Sequence, residues 1–353
     1  MDYIITIIAL RTVKTRGEIG EMKKHIWVAG VWGFGNISIM KQFEKDSEVT
    51  FLEDDFRYML KFQKIWKFIR RYLKGCGAGL FRTVLETRIF DKAYALTHCD
   101  FEAYDRNYIV LFNSAFLEYY SRGYFERLKK RHPSLRYYLY IIDPMPNGLW
   151  PEIERVKGIF DKVLTIHPYN VNKYGFGYLP YIYGKPQEKS QLKQAPDVNL
   201  FFCGVAGDYR QKIVGFIVDK CREKQISYDL WLKPYGNDGI RDGNVHYSEM
   251  PYEDNVYRLK HADCILEIMH EGFVGITQRY LEAVIYNKKL LTNNVEIKQL
   301  PYYDKRYMQF FAKVEEIDWD WLKEPVTVDY HYKNDFSTDM WKKNLYCIAA
   351  EGK

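Results

Sequence analysis

The chain has no Cys-X-X-Cys pair, and none of its six cysteines (Cys76, Cys99, Cys203, Cys221, Cys264 and Cys347) has a histidine at zinc-ligand spacing. That excludes a zinc-finger scaffold and a dithiol redox motif, and the thiols read as reduced, as in a cytoplasmic protein. No apolar run approaches the roughly 18 residues that cross a bilayer. The longest near the start, residues 3–10, stops at Arg11 and lacks both a basic flank and a small-residue cleavage site, so no signal peptide is expected. Phosphate-loop NTPases, α/β-hydrolase elbows and zincins are excluded because GxxxxGK[ST], GxSxG and HExxH are absent. There is no solenoid repeat and no low-complexity tract.

With 353 residues, 47% of them hydrophobic and 28% charged, the chain can bury a sizeable core in two domains or one large α/β unit. The net charge of +6 is too small and dispersed to argue for nucleic acid, yet suits anionic substrates or an anionic membrane surface.

From His25 onward, strand-like and helix-like segments alternate. Short buried-strand runs at residues 26–29, 49–52, 108–113, 137–142 and 162–166 are interleaved with helical patterns at 37–43 and 116–130, which means parallel βαβ units. Residues 184–198 hold two prolines and almost no apolar residue, so they read as a linker. The alternation then restarts, with strands at 200–203, 228–232, 264–269 and 289–292 and helices at 210–224, 252–260 and 277–287. The predicted architecture is α/β: two Rossmann-like domains, 22–183 and 199–310, facing each other across a cleft. A tail, 311–353, ends in a helix at 338–350 that packs back on the first domain. Residues 1–21 look detached from the apolar strand that begins near His25, and Met22 is the expected functional start.

The most informative stretch runs from Ala262 to Asn294: a buried strand, a glycine-bearing loop, a helix and a second buried strand. Its loop and helix start lie at the carboxyl edge of a parallel sheet, where ligands of open α/β folds bind. Gly272 and Gly275 allow close backbone approach, and Thr277, Gln278 and Arg279 open a helix whose free N–H groups favour a phosphate. After the preceding strand, Gly204 and Gly207 turn the chain toward Arg210 and Lys212, which present cations near the same edge, or else begin a solvated helix.

Glu271-Gly272-Phe273, then Leu281-Glu282-Ala283, then residues 288–294 resemble the nucleotide-sugar signature of GT-B-fold glycosyltransferases. Residues 275–282 with 289–293 are more closely similar to glycosyltransferase-like proteins of bacterial capsule, exopolysaccharide and lipopolysaccharide clusters, and residues 160–180 and 201–210 fit the same group. The resemblance implies a metal-independent transferase without a cofactor, moving a sugar from a nucleotide-sugar donor to a glycan or lipid-linked acceptor. It assigns Glu282 to the ribose, the loop from Glu271 to Arg279 to sugar and diphosphate, and Arg210 to the leaving group. Members with a two-glutamate motif place the carboxylates closer together than the ten residues that separate Glu271 from Glu282. Arg279 and Glu282 are also spaced i, i+3 and could pair with each other instead.

Asp143, His98 and His167 each follow an apolar segment and are the candidates for a general base; each could equally cap a loop. Gly30, Gly33 and Gly35 follow a strand in the order GxxGxG, which is not a dinucleotide fingerprint. Asp318-Trp319-Asp320 matches the short metal-holding DxD pattern but lies in the tail, and no metal requirement is expected. Residues 58–73 form an amphipathic helical pattern with Lys61, Lys64, Lys67, Arg70 and Arg71 and no acid. It packs its apolar stripe in a domain core or docks on the inner face of an anionic membrane. Two rival functions stay open: a non-catalytic scaffold that binds sugar nucleotides or glycans, and another sugar-nucleotide enzyme such as an epimerase.

Overall fold

The computed structural model describes residues 22–29, 43, 46–52, 94–112, 122–142, 153–154, 157–183, 190–234, 239–269 and 275–351. Residues 1–21, the Gly30 to Gly35 loop, the basic segment 58–73, Cys76, Asp143, Glu271 and Gly272 lie outside them.

The first sheet contains β1 (Lys24–Ala29), β2 (Val49–Leu52), β3 (Arg106–Phe112), β4 (Arg136–Ile141), β5 (Lys162–Thr165) and β6 (Gly177–Tyr178) in the order β2-β1-β3-β4-β5-β6. Every pairing is parallel. Parallel strands covered on both faces need continuous apolar runs, and β3 supplies one: Asn107 to Phe112 are all buried. Asn107 is the polar member, and Trp27 Nε1 donates to its carboxamide oxygen at 2.8 Å.

The second sheet contains β7 (Val198–Val205), β8 (Tyr228–Lys233), β9 (Val245–His246), β10 (Ala262–Glu267), β11 (Lys289–Thr292) and β12 (Met308–Phe310). Its order, β12-β11-β10-β7-β8-β9, is the Rossmann order, again with every pairing parallel. The three-residue edge strand β12, too short to show as a strand in the sequence, completes this sheet.

Seven α-helices are described: α1 (Arg122–Arg131), α2 (Pro168–Tyr174), α3 (Asp208–Lys224), α4 (Tyr252–Lys260), α5 (Gln278–Tyr286), α6 (Trp319–Lys323) and α7 (Thr338–Glu351). The α3 helix begins two residues before the predicted Arg210, with Asp208 in its first turn, and Gln225 ends it in the left-handed region. Thr277 precedes α5 as its cap rather than its first turn, accepting from Tyr280 N at 3.1 Å. Asp318 caps α6 by accepting from the backbone of Asp320 and Trp321, which accounts for the DxD match as a helix start.

Two of the core clusters are private to one domain each. The third joins both sheets through the chain crossing at Tyr181 to Tyr183, α4, α5 and α7. There Trp341 of α7 is buried against Phe43, Phe112 and Tyr140 of the first domain, and Lys342 forms ion pairs with Asp46 and Glu48. The C-terminal helix thus returns to the first domain and clasps it.

Candidate functional site

In the second sheet the strand order reverses between β7 and β10, so the ligand crevice of the fold opens beyond their carboxyl ends. The exit of β7 carries Gly204, Gly207 and Arg210, and that of β10 carries the segment leading to Gly275 and Thr277. Gly204 has no room for a larger residue, since a Cβ there would meet the Phe202 ring at 2.8 Å. Gly207 caps α3 and faces open space.

Arg210 reaches from the first turn of α3 across this crevice. Its Nε donates to Ile268 O at 2.8 Å and its NH1 lies 3.4 Å from Val205 O. Both partners are backbone carbonyls, and no described carboxylate stands within ion-pair distance. Burial, with the neighbouring charge of Arg279 adding to it, pushes the guanidinium down to about 10. The charge of Arg279 is thus felt at Arg210, which is itself half-buried. Lys212, two residues on, is exposed to solvent.

Glu267, at the end of β10, is a site residue that sequence reading passed over. It is fully buried, and its two oxygens accept from the hydroxyls of Thr277 and Thr292. Burial raises its pKa, against those hydrogen bonds and the charges of Arg279 and Arg210. Glu267 therefore ties the cap of α5 to the end of β11. Its signal in the sequence was a lone carboxylate inside an apolar run, Cys264 to Met269, where burial demands partners. Asn293 and Asn294 extend the same frame. Asn293 accepts from Met269 N at 2.7 Å and donates to Tyr209 Oη at 3.3 Å, while Asn294 Nδ2 donates to Gly275 O at 2.7 Å.

Arg279 and Glu282, one turn apart on α5, form an ion pair that faces inward. Arg279 Nε also donates to Cys203 O on β7 at 3.1 Å. Burial is the largest single influence and opposes the guanidinium charge, but Glu282 together with Cys203, Tyr252 and Tyr183 holds Arg279 above its ordinary pKa. The other oxygen of Glu282 receives Asn255 Nδ2 at 3.3 Å and Tyr183 Oη at 3.5 Å. Tyr252 donates to Tyr183 in turn. The i, i+3 alternative seen in the sequence is thus realised, as a buried pair and not on the helix surface: the Glu282 carboxylate has no exposure and has partners on both oxygens.

From the first domain, His167 follows β5 and caps α2. Its ring lies against Gly275 of the second domain: a Cβ built on Gly275 would stand 3.1 Å from Cε1 of His167 and closer still to Nδ1. Gly275 also has φ +105°, a conformation L-residues rarely adopt. Burial pushes the imidazole down to about 4, with a hydrogen bond to the Ile142 carbonyl opposing. His98, by contrast, is exposed at the end of a short 3-10 turn, beside a core cluster that has no second-domain member.

The structure therefore brings together Gly204, Gly207, Arg210, Gly275, Thr277, Gln278, Arg279 and Glu282 at one sheet edge and sets His167 against them. Among the described residues no cluster of three or more metal-ligating side chains occurs, and no helix is long and apolar enough to cross a membrane.

No protein-family description matches the sequence, and no curated protein matches it. Solved structures do. An alpha,alpha-trehalose 6-phosphate synthase from Burkholderia multivorans superposes with a TM-score of 0.50 at 9% identity, covering 94% of this chain and 100% of its own. A UDP-N-acetylglucosamine 2-epimerase from Rickettsia bellii gives 0.50 at 13% identity, covering 94% and 97%. The spinosyn forosaminyltransferase SpnP gives 0.43 at 10% identity, covering 94% and 95%. The chain accordingly has the arrangement of two Rossmann-like domains, GT-B, that is found both in glycosyltransferases and in a nucleotide-sugar epimerase.

Proposed function

We propose that this protein is a glycosyltransferase that binds a nucleotide sugar at the β7/β10 crevice and passes the sugar to a glycan or lipid-linked acceptor held by the first domain. The observation that carries the reading is Arg210: a half-buried cation at the switch point whose hydrogen bonds among the described residues both go to backbone carbonyls, within the field of a second guanidinium, Arg279. Such a pair is preorganised for the diphosphate, whose charge grows as the sugar–oxygen bond breaks. Thr277, at the start of α5, sets the helix N-terminus toward the same group.

In this reading Arg210 and Arg279 stabilise the departing diphosphate, while Gly207 and Gly275 let the backbone approach. Glu282 holds Arg279 in place. The ribose role implied by the resemblance requires its carboxylate to exchange Tyr183 or Asn255 for a ribose hydroxyl. The general base belongs to the first domain, where Asp143 and His167 remain candidates. Neither a metal nor a cofactor is required. A lipid-linked acceptor, in cell-surface polysaccharide synthesis, would bring a cytoplasmic enzyme to the inner membrane face, with the basic segment 58–73 as the docking element.

The test is a thermal-shift screen against UDP, GDP, CDP and dTDP sugars, with and without Mg²⁺, on the wild type and Arg210→Gln. A shift with one nucleotide that the substitution removes, independent of Mg²⁺, supports the donor site. A folded chain that shifts with none overturns it. The epimerase fold relative makes one second reading concrete. Product analysis separates the two, since transfer releases the nucleoside diphosphate and epimerisation leaves it attached.

A further inference from the structure

The amino ends of the first sheet carry a row of cations. Lys24 on β1 is in register with Arg106 on β3, Tyr108 with Arg136 on β4, and Tyr138 with Lys162 on β5. Register partners in a parallel pair share a face, and so do residues two apart on one strand. Lys24, Arg106, Arg136 and Lys162 therefore project from the same face of four adjacent strands, in a row about 14 Å long. The α1 helix ends at this edge with Lys129, Lys130 and Arg131 in its last turn. Asp161 pairs with both Lys129 and Arg136 and so joins the helix end to the row.

Few of these charges are neutralised. Lys24 lies over the Tyr346 ring, and Lys129 and Arg136 share one carboxylate. Arg106, Lys130, Arg131 and Lys162 have no acidic partner within ion-pair distance among the described residues, and Lys130 and Arg131 are exposed. Gly177 on β6 makes room for the Lys162 stem, since a Cβ there would stand 3.0 Å from its Cε. The matching edge of the second sheet is mixed: Asp197, paired with His261, precedes β7, and Asp263 at the start of β10 acts with it on Lys288.

The cations spread along an edge instead of converging on a point, which suits a plane of negative charge and not one small anion. Met22, 47% exposed, adds an apolar side chain beside Lys23. The carboxyl ends of the same strands face the other way, toward the second domain, where His167 after β5 meets Gly275. Since β3 has seven residues, the basic edge stands about 20 Å from the cleft.

We infer that the first domain rests on an anionic bilayer by the amino ends of β1, β3, β4 and β5 and the end of α1, so that the cleft opens away from the lipid. This contact is separate from segment 58–73. One consequence rests on the transferase reading above: the acceptor that reaches the cleft is the far end of a lipid-linked glycan several sugars long, and not a sugar next to its lipid.

Sedimentation of the full chain with phosphatidylcholine vesicles, with and without phosphatidylglycerol, tests the docking. Each cation near an anionic surface adds about fivefold to partitioning, and salt screens it. The wild type is expected to bind only the anionic vesicles and to be released by salt. Arg106→Gln/Lys130→Gln/Arg131→Gln/Lys162→Gln is expected to bind them more weakly by about tenfold or more. No binding by the wild type, equal binding by the quadruple variant, or release from the vesicles by a short DNA duplex that binds as tightly, overturns the inference and leaves the transferase reading standing. A wild type that docks as expected but takes no nucleotide sugar keeps the contact and removes the acceptor consequence. Should the quadruple variant fail to fold, hydrogen exchange on the wild type decides. Anionic vesicles are expected to slow the amides of residues 131–136 and to leave those of 204–210 unchanged, whereas slowing at 204–210 turns the cleft toward the lipid and overturns the inference.

Discussion

Arg279 and Glu282 form an ion pair buried at the root of the β7/β10 crevice, and Arg279 also hydrogen-bonds Cys203 O on β7. One turn of α5 thereby fixes the helix to the central strand of the sheet and to the domain crossing at Tyr183. Removing one partner of a buried pair leaves an uncompensated charge, at a cost of about 3 to 5 kcal/mol. Glu282→Ala is therefore expected to lose that much stability in urea unfolding, with or without nucleotide. A Glu282→Ala protein as stable as the wild type would mean that the carboxylate serves a ligand and not the fold. Arg210→Gln, which breaks no ion pair among the described residues, is the cleaner probe of donor binding.

The clasp of α7 on the first domain gives a second expectation. Trp341 is buried among Phe43, Phe112 and Tyr140, and large-to-small changes of this kind cost about 3 to 5 kcal/mol. Trp341→Ala should lower the unfolding midpoint of the whole chain, because the cluster it occupies is shared by both domains. Lys342→Met should cost less, since Asp46 and Glu48 retain access to water. Two separated unfolding transitions in Trp341→Ala, with the second domain unaffected, would contradict a shared core.

How much of this was legible beforehand depends on the range of the forces involved. The alternation of buried runs such as β3 and β10 with helical patterns showed two parallel sheets, because strands covered on both faces must be apolar throughout. Gly275, Thr277 and Arg279 could be placed at a sheet edge for the same reason. The partners of Glu282 could not. Asn255 and Tyr183 lie 27 and 99 residues away in the chain, and pairing at that distance leaves no local pattern. Glu267 was missed because nothing local marks the partners of a carboxylate inside the run 264–269: Thr277 and Thr292 close over it from 10 and 25 residues away. The edge strand β12 was too short to show a period of two.

Glu267 offers a third prediction. Its carboxylate accepts from two threonine hydroxyls, an arrangement that a carboxamide cannot copy, having one oxygen acceptor and a donor in place of the other. Glu267→Gln should reorient one threonine and loosen the cap of α5, at about 1 to 3 kcal/mol. Hydrogen exchange at the first amides of α5 is expected to speed up, while those of α3 stay protected. Unchanged exchange in α5 would remove Glu267 from any positioning role.

The buried imidazole of His167 makes a prediction about pH. Its folded-state pKa of about 4 lies below the ordinary 6.5, so between these values the unfolded chain binds a proton that the folded chain does not. Stability from this residue is complete above about 6.5 and falls as the pH drops toward 4, where the cost of keeping the ring neutral reaches about 3 kcal/mol. Below that the ring is charged in both states and the loss levels off. His167→Gln has no such proton to exclude, so the stability difference between wild type and variant should shift by that amount between pH 7 and pH 4, in favour of the variant at low pH. Taking the difference cancels every other titrating group that the two proteins share. Urea unfolding at a series of pH values measures it, and parallel curves for the two proteins would show that the ring is solvated and free of Gly275 in solution.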